Sequence, residues 1–272
     1  MPETAGFHSP HVRAARLLHT KKHRAQARCF LVEGATLLAG ALDAGVTPSA
    51  LFYIPGRSES VDSAVRRAQE AGVSSFAVDE RTLDSLSATR TPQGVVAQVS
   101  FFDRSAQSLG SLVPAAGPAC VLVLHDLDDP GNAGTLVRSA EAFGASAVCF
   151  GPESVEPYND KLVRATMGAL FRMPIVRYET WEALVAALDA VRLRTLGAAA
   201  DGPDIRSVDV PERVALVLGN ERRGLEGLPE GAVAMLAGIP QHQAVESLNV
   251  AVAGSILLYE IARCGKLLGP PP

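Results

Sequence analysis

The chain has 272 residues, of which 47% are hydrophobic and 20% charged, and its formal net charge is −4. This length suffices for two modest domains with a core each, and the composition is typical of a globular protein. No apolar run reaches the roughly 20 residues of a membrane helix, and the first thirty residues lack the apolar segment of a secretory signal, so we expect a cytoplasmic protein without a membrane partner.

Net charge argues mildly against a nucleic-acid partner, but the first thirty residues favour one. They contain a single acid, Glu3, and four of the six histidines. Their basic residues are Arg13, Arg16, Lys21, Lys22, Arg24 and Arg28. Because nucleic-acid affinity depends on local neutralisation of phosphates, this segment predicts a binding surface. The alternative is a solvated basic helix.

Short β-type runs alternate with helical ones in the first hundred residues, which is typical of an α/β layer structure. Strands are predicted at Cys29–Glu33, Ala50–Ile54, Val73–Val78 and Val95–Val99, and helices at Gly34–Gly45 and Ser60–Ala71. Ser, Gly, Pro and Ala then dominate, and apolar periodicity is lost. We therefore predict a first domain over residues 1–102 and a linker over residues 103–118.

A second α/β domain is predicted over residues 119–272. Its strands are expected at Cys120–His125, Ala145–Phe150, Arg194–Ala198, Val214–Leu218 and Ala232–Leu236. Its helices are expected at Ala133–Phe143, Asp160–Phe171, Thr180–Val191 and Glu246–Arg263. Ligands of open α/β sheets bind at the carboxyl ends of strands, so polar residues there are candidates for function.

Cysteines do not indicate a metal or a disulfide framework. Cys29, Cys120, Cys149 and Cys264 lie far apart and form no CxxC pair. We expect reduced thiols, as in cytoplasmic proteins, and no metal site, because no cluster of His, Cys, Asp or Glu suggests one.

Three segments of the second domain place glycine and polar residues beside predicted strand ends. The first has a proline turn followed by Asn132 and Arg138, the second runs from an apolar strand into Gly219, and the third precedes a long apolar helix. Each segment alone has an ordinary interpretation as a helix cap, a surface arginine or a strand-to-loop junction.

Together the three segments resemble the signature motifs of the SpoU family, the TrmH-like branch of the knotted SPOUT methyltransferases. The matching residues are Pro130, Asn132 and Arg138, then Leu218, Gly219, Asn220 and Glu221, then Ile239, Pro240 and the run Glu246, Ser247, Leu248, Asn249 and Val250. The likeness extends to Phe30–Gly34, Leu86–Val95 and Pro157–Val176, and so covers nearly the whole chain.

The resemblance implies S-adenosylmethionine-dependent methylation of a ribose 2′-hydroxyl in RNA. It implies that Arg138 lies at the hydroxyl, as proton acceptor or as a phosphate clamp; we prefer the clamp, because a free guanidinium is a poor base. Supporting catalytic residues are Asn132, Glu221, Ser247 and Asn249. The implied cofactor-binding residues are Leu218, Gly219, Asn220, Ile239 and Leu248.

The implied fold is α/β, with a C-terminal trefoil-knotted methyltransferase domain preceded by a small RNA-binding domain similar to a ribosomal protein. Family domains pair, so a homodimer is expected, with the apolar helix Val250–Arg263 either in the interface or in the core. Implied RNA-binding residues are Arg13, Lys21, Lys22, Arg24, Arg28 and Arg164. The extra domain favours ribosomal RNA, from the large subunit, over transfer RNA.

Departures from the family pattern at Arg222, Gln241 and Gln243 put substrate preference in doubt, but not the reaction. One alternative is a methyltransferase of transfer RNA. Another is a catalytically silent RNA-binding protein of the same fold, against which the intact motif residues argue. A nicotinamide-dependent Rossmann enzyme is a third, but the chain lacks its glycine fingerprint.

Overall fold

The computed structural model describes residues 3–242, 247–265 and 267–268. Its contacts divide the chain into two compact units. The first comprises the residues up to Phe102 together with Tyr158–Arg172, and the second comprises Asp103–Pro157 together with the chain from Met173 onward.

The first unit contains a five-stranded sheet of order β1-β4-β3-β5-β2. Its strands are β1 (Glu3–Thr4), β2 (Cys29–Glu33), β3 (Ala50–Tyr53), β4 (Ser74–Ala77) and β5 (Val95–Ser100). Its helices are α1 (Pro10–Leu17), α2 (Lys21–Ala27), α3 (Ala35–Asp43), α4 (Glu59–Glu70) and α5 (Glu80–Asp84). Strand β5 is antiparallel to both β2 and β3, while β4 is parallel to β1 and β3.

A segment from the middle of the chain completes the first unit. It contains α8 (Asp160–Ala165) and a 3₁₀ turn (Ala169–Phe171). The Tyr158 hydroxyl accepts a hydrogen bond of 2.9 Å from the backbone of Phe102, and its ring stacks on Phe101 at 4.0 Å between centroids. Helix α8 also contacts β2. The first unit is therefore built from two stretches of chain that are distant in sequence.

The second unit contains a seven-stranded, wholly parallel sheet of order β12-β10-β11-β7-β8-β9-β6. Its strands are β6 (Arg104–Ser105), β7 (Ala119–Leu124), β8 (Ala147–Phe150), β9 (Ile175–Arg177), β10 (Arg194–Ala198), β11 (Arg213–Leu218) and β12 (Met235–Ala237). Its helices are α6 (Leu109–Leu112), α7 (Pro130–Ala142), α9 (Trp181–Ala190) and α10 (Val250–Cys264), with 3₁₀ turns at Ala106–Ser108 and Ile205–Ser207. Buried apolar runs such as ACVLVL in β7 are typical of central parallel strands.

The prediction of a linker over residues 103–118 is wrong in its structural sense. Strand β6 pairs with β9 at the sheet edge, and α6 follows it. Ala106, Leu109 and Val113 are buried in the same core cluster as Trp181. Their spacing places them on one helical face, so this segment is a structural part of the second unit.

Two glycines mark a close crossing of backbone at the edge of the second sheet. The Gly238 amide donates to the Pro203 carbonyl at 2.7 Å, and the Ile205 amide donates to the Gly238 carbonyl at 2.9 Å. A Cβ on Gly238 would lie 2.7 Å from the carbonyl oxygens of both Ala199 and Gly202. Only glycine allows the backbone segments around Gly202 and Gly238 to pass this close to each other.

Within the described residues, no helix has the length and apolar character needed to cross a membrane. Most predicted strands and helices are present within one or two residues of their expected bounds. The helix expected at Glu246–Arg263 begins only at Val250, and Gln243 and Glu246 lie outside the described residues.

Candidate active site

The turn that follows β7 presents Asn132 at the start of α7. Asp129 caps the helix, since its side chain accepts a hydrogen bond of 2.8 Å from the Asn132 amide, and Pro130 occupies the first turn, where no backbone donor is needed. This geometry explains why a proline turn precedes the asparagine. The side chain of Asn132 is thereby held at the carboxyl edge of the sheet.

Glu221, at the end of β11, ties its loop to that turn. Its carboxylate accepts hydrogen bonds from the backbone amides of Asp128 at 3.2 Å and Asp129 at 3.0 Å. It accepts a third from the side-chain amide of Asn132, also at 3.2 Å. Because all three donors come from the turn after β7, Glu221 locks the first two sequence motifs together.

Asn249 brings the third motif to the same point. Its side-chain oxygen caps α10 by accepting from the amides of Ala251 and Val252, at 2.9 and 3.2 Å. Its side-chain nitrogen donates to the Asn132 oxygen at 3.0 Å. Ser247 is exposed two residues earlier. The structure thus joins Asn132, Glu221 and Asn249 in one hydrogen-bonded chain.

A cavity of about 280 Å³ opens beside this network. Its walls are mainly apolar and small residues at the ends of β10, β11 and β12, which suits a flat, largely uncharged group of nucleoside size. The five residues predicted to bind cofactor all line it, together with Ser247: Leu218, Gly219, Asn220, Ile239 and Leu248.

The loop after β11 is rigid. Asn220 and Gly224 exchange two backbone hydrogen bonds of 2.8 and 2.9 Å, and a Cβ on Gly219 would collide with the Gly224 carbonyl. The Asn220 side chain donates to the Asp126 carbonyl and accepts from the amides of Arg222 and Arg223. This loop therefore forms one preset wall of the cavity.

Arg138 is not part of the network. It lies on α7, six residues beyond Asn132, which corresponds to about 9 Å along the helix and a rotation of about 240°. Its side chain is exposed, does not line the cavity, and makes no hydrogen bond or ion pair among the described residues. The guanidinium is consequently free to meet a ligand or another chain.

A polar cluster of His125, Tyr178 and Asp126 beneath the site was not predicted from the sequence. His125 Nδ1 lies 2.9 Å from the Tyr178 hydroxyl, and its Nε2 lies 3.7 Å from the Asp126 carboxylate, which in turn lies 3.8 Å from Arg223. Burial strongly raises the pKa of Tyr178, so its hydroxyl stays protonated and can donate. The sequence shows only a polar pair directly after an apolar strand, which does not identify Tyr178 as a partner.

Asp126 also has a left-handed backbone, with φ of 56°. Aspartate tolerates this region better than most residues. The Asp126 carbonyl accepts a hydrogen bond from the Asn220 side chain, and the backbone amides of Asp128 and Asp129 donate to Glu221. The turn after β7 therefore fixes two neighbouring residues of the loop after β11.

The predicted RNA-binding residues of the first unit divide into two groups. Arg13, Lys21, Lys22 and Arg28 are exposed, and Arg28 lies over the Phe101 ring. Arg164 is half-buried and pairs with Asp160 at 3.1 Å. The prediction that Arg24 binds RNA must be corrected, because this residue is only 5% exposed. Arg24 donates hydrogen bonds to the carbonyls of Leu18 and His19, at 3.0 Å each, and so stabilises the turn between α1 and α2.

Arg90 was not among the predicted RNA-binding residues, although its loop lies in the segment Leu86–Val95 that resembles the family's RNA-binding domain. The Glu33 carboxylate accepts hydrogen bonds from the hydroxyls of Ser87 and Thr89, at 2.5 and 2.6 Å, and from the Ala88 amide at 3.1 Å. These bonds hold the loop in which Arg90 is exposed.

Among the described residues, no group of three or more His, Cys, Asp and Glu side chains could hold a metal ion.

Comparison with protein families matches both units. The model of the SpoU rRNA Methylase family matches residues 119–259, and that of the MRM3-like substrate binding domain matches residues 9–97. The first match contains every residue of the network and the cavity loop.

Related proteins match this chain over most of their own length. The chain is 30% identical to the 23S rRNA (guanosine(2553)-2′-O)-methyltransferase RlmP of Bacillus subtilis, over 90% of this chain and 92% of that protein. It is 31% identical to the 23S rRNA (guanosine-2′-O-)-methyltransferase RlmB of Coxiella burnetii, over 85% and 94%.

Solved structures agree with this relationship. An AdoMet-bound rRNA methyltransferase from Sinorhizobium meliloti superposes with a TM-score of 0.84 at 30% identity, covering 97% of this chain and 98% of that one. The SpoU methyltransferase AviRb from Streptomyces viridochromogenes, in complex with AdoMet, superposes with a TM-score of 0.83 at 25% identity, covering 94% and 98%.

Proposed function

Since the chain belongs to the SpoU rRNA methylase family and is an S-adenosylmethionine-dependent 2′-O-methyltransferase of ribosomal RNA, we propose that its substrate is a nucleotide of the large-subunit rRNA. The predicted fold class, activity and cofactor are thereby confirmed. Support for the large subunit comes from the two relatives named as 23S rRNA methyltransferases. The observation that carries the activity is the Asn132–Glu221–Asn249 network beside the cavity.

The residues present fit the cofactor, because the cavity joins apolar walls for a nucleoside to a polar rim. S-Adenosylmethionine, when bound there, supplies an electrophilic methyl group on a sulfonium. The apolar walls exclude water, and the rigid loop after β11 orients what binds. Holding the ribose oxygen in line with the methyl group lowers the barrier by up to roughly 7–11 kcal/mol.

We assign Arg138 to the RNA side of the reaction. Its guanidinium is unpaired among the described residues and is suited to a bidentate contact with the phosphate beside the target ribose. In this role Arg138 clamps the phosphate and polarises the 2′-hydroxyl, while Asn132, Ser247 and Asn249 orient ribose and phosphate. The proton of the attacking hydroxyl passes to solvent water, because the guanidinium of Arg138 is already protonated. Glu221 acts through Asn132, whose side-chain amide it holds.

The active form is proposed to be a homodimer. Val252, Ile256 and Tyr259 are exposed on α10 at spacings of four and three residues, which forms a single apolar stripe. Gly254 lies on the opposite, buried side, where a Cβ would collide with Leu136 and Leu218. A second copy covering the stripe would complete the site, because Arg138 does not reach the network of its own chain.

Such an enzyme would act in the cytoplasm, in keeping with the four free cysteines of the chain.

The proposal that the substrate is large-subunit rRNA is tested by mass-spectrometric mapping of ribose methylation in RNA from cells with and without the gene. Loss of one 2′-O-methyl group from large-subunit rRNA is expected. Loss from transfer RNA alone would contradict the substrate, and no loss from any RNA would favour a catalytically silent RNA-binding protein.

A further inference from the structure

The loop after β11 carries two adjacent arginines with different surroundings. Arg223 lies 3.8 Å from the Asp126 carboxylate and does not line the cavity. Arg222 does line the cavity, and its side chain has no hydrogen bond or ion pair among the described residues. The two residues differ in role although they share one rigid loop.

Arg222 is the one cation among the described residues that line the cavity, and Glu221 is the one anion. The two side chains form no ion pair among the described residues, and the Glu221 carboxylate instead accepts from the backbone amides of Asp128 and Asp129 and from the Asn132 side chain. A guanidinium without an ion-pair partner among the described residues therefore lies at the polar rim of the cavity.

The backbone of Arg222 is fixed as well. Its amide donates to the Asn220 side-chain oxygen at 3.0 Å, and the loop is closed by the paired bonds of Asn220 with Gly224. A preset backbone reduces the entropy lost when the side chain engages a ligand.

The cofactor brings one carboxylate, on its methionine end, into a site with few other partners for an anion. The nearby start of α10 is already capped, since the Asn249 oxygen accepts from the amides of Ala251 and Val252. We propose that Arg222 binds the α-carboxylate of the cofactor and so selects the amino-acid end of S-adenosylmethionine. This inference rests on the cofactor assignment above and adds a residue to it.

The test is a thermodynamic cycle measured by calorimetry on the full-length chain. The ligands are S-adenosylhomocysteine and its decarboxylated analogue, S-adenosyl-3-thiopropylamine, which keeps the nucleoside and the amine. The proteins are wild type, Arg222→Gln, which is polar and neutral, and Arg223→Gln as the control from the same loop. Any selective effect then reports the carboxylate.

Arg222→Gln should weaken S-adenosylhomocysteine binding about tenfold, the value of one charge-assisted hydrogen bond at an open rim. Its affinity for the decarboxylated analogue should stay within about twofold of the wild-type value. Arg223→Gln should show no such difference between the two ligands, and Arg222→Lys should recover part of the selectivity.

Equal losses for both ligands, or unchanged binding of S-adenosylhomocysteine, would overturn the proposal. Unchanged cofactor affinity with weakened RNA binding would assign Arg222 to an RNA phosphate instead. If the wild type bound neither ligand, the cofactor assignment itself would be wrong. If the wild type bound S-adenosylhomocysteine more tightly than the decarboxylated analogue but did not methylate rRNA, only the substrate assignment would be wrong.

Discussion

The side-chain amide of Asn249 donates a hydrogen bond of 3.0 Å to the side-chain oxygen of Asn132, from 117 residues away in the chain. Both asparagines lie at the start of a helix. The side-chain nitrogen of Asn132 in turn donates a hydrogen bond to the Glu221 carboxylate. The three motifs therefore behave as one hydrogen-bonded unit, in which the effects of substitutions should not be additive.

Arg138→Ala should lower methyl transfer by at least about 100-fold, as expected when a charged group at the reacting centre is removed. Cofactor affinity should be nearly unchanged, because Arg138 does not line the cavity. Arg138→Lys should fail as well, since lysine lacks the planar fork. A tritium-methyl assay beside calorimetry with S-adenosylhomocysteine measures both quantities. Near wild-type turnover of Arg138→Ala would refute the assignment.

Glu221→Ala should destabilise the site, because two backbone amides and the Asn132 amide lose their acceptor. These groups are partly solvated, so we expect a cost of about 1–2 kcal/mol in unfolding free energy, together with a strong loss of turnover. Glu226→Ala, an exposed residue of the following turn, is the matched control and should change neither. Denaturant unfolding and the methyl assay report the two effects separately.

Ile256→Glu should break the proposed homodimer by placing a charge in the α10 stripe. Light scattering should report about twice the 28.5 kDa chain mass for the wild type and a single chain for the variant. Asp189→Asn, an exposed residue of α9, is a control away from the stripe and should leave the mass unchanged. A monomeric Ile256→Glu that retained full methyl transfer would show that the site does not need a second copy.

Lys21→Ala with Lys22→Ala should weaken RNA binding and flatten its salt dependence, by roughly 0.7–0.9 in log-log slope for each phosphate that is no longer neutralised. Stability should be unaffected, because both side chains are exposed. Arg24→Ala should behave oppositely and cost about 1–3 kcal/mol of stability, since it leaves the Leu18 and His19 carbonyls without their donor. RNA affinity at several salt concentrations and thermal unfolding distinguish the two outcomes.

The buried thiols of Cys120 and Cys149 should react much more slowly than the exposed thiol of Cys264. Burial raises the pKa of Cys120 to about 12 and that of Cys149 still further, so at pH 8 the nucleophilic thiolate is nearly absent from both. Cys264 is exposed. A thiol reagent at pH 8 should therefore modify Cys264 first and reach Cys120 and Cys149 only after unfolding. Rapid labelling of either buried cysteine in the folded protein would contradict their placement.

Local patterns in the sequence were sufficient to predict most of the strands, because apolar runs report backbone geometry. The residues that line the cavity were instead implied by the resemblance to the SpoU motifs. Local patterns were insufficient for Arg24, since charge patterning does not tell which member of a basic cluster turns inward. The segment 103–118 was misjudged because its buried residues Ala106, Leu109 and Val113 are separated by Ser and Gly, which obscure the helical period. A truncation meant to isolate the second unit should therefore begin at Asp103 and not after the segment.

The contact of His125 with Tyr178 and its proximity to the Asp126 carboxylate were also not predicted from the sequence. A histidine after a strand has no partner in the sequence, and Tyr178 lies 53 residues further on. Only the fold brings the imidazole, the phenol and the carboxylate together under the turn that supports Glu221.

The two-part construction of the first unit has a consequence for how the protein is made. Tyr158–Arg172 is synthesised only after Asp103–Pro157, about 55 residues later than the rest of that unit. At translation rates of about 5–20 residues per second, the N-terminal sheet must wait roughly 3–13 s until Tyr158 and helix α8, which ends at Ala165, have been made. During that interval the nascent chain exposes Phe30, which is fully buried in the finished protein, so the newly made first unit should be a client for ribosome-associated chaperones.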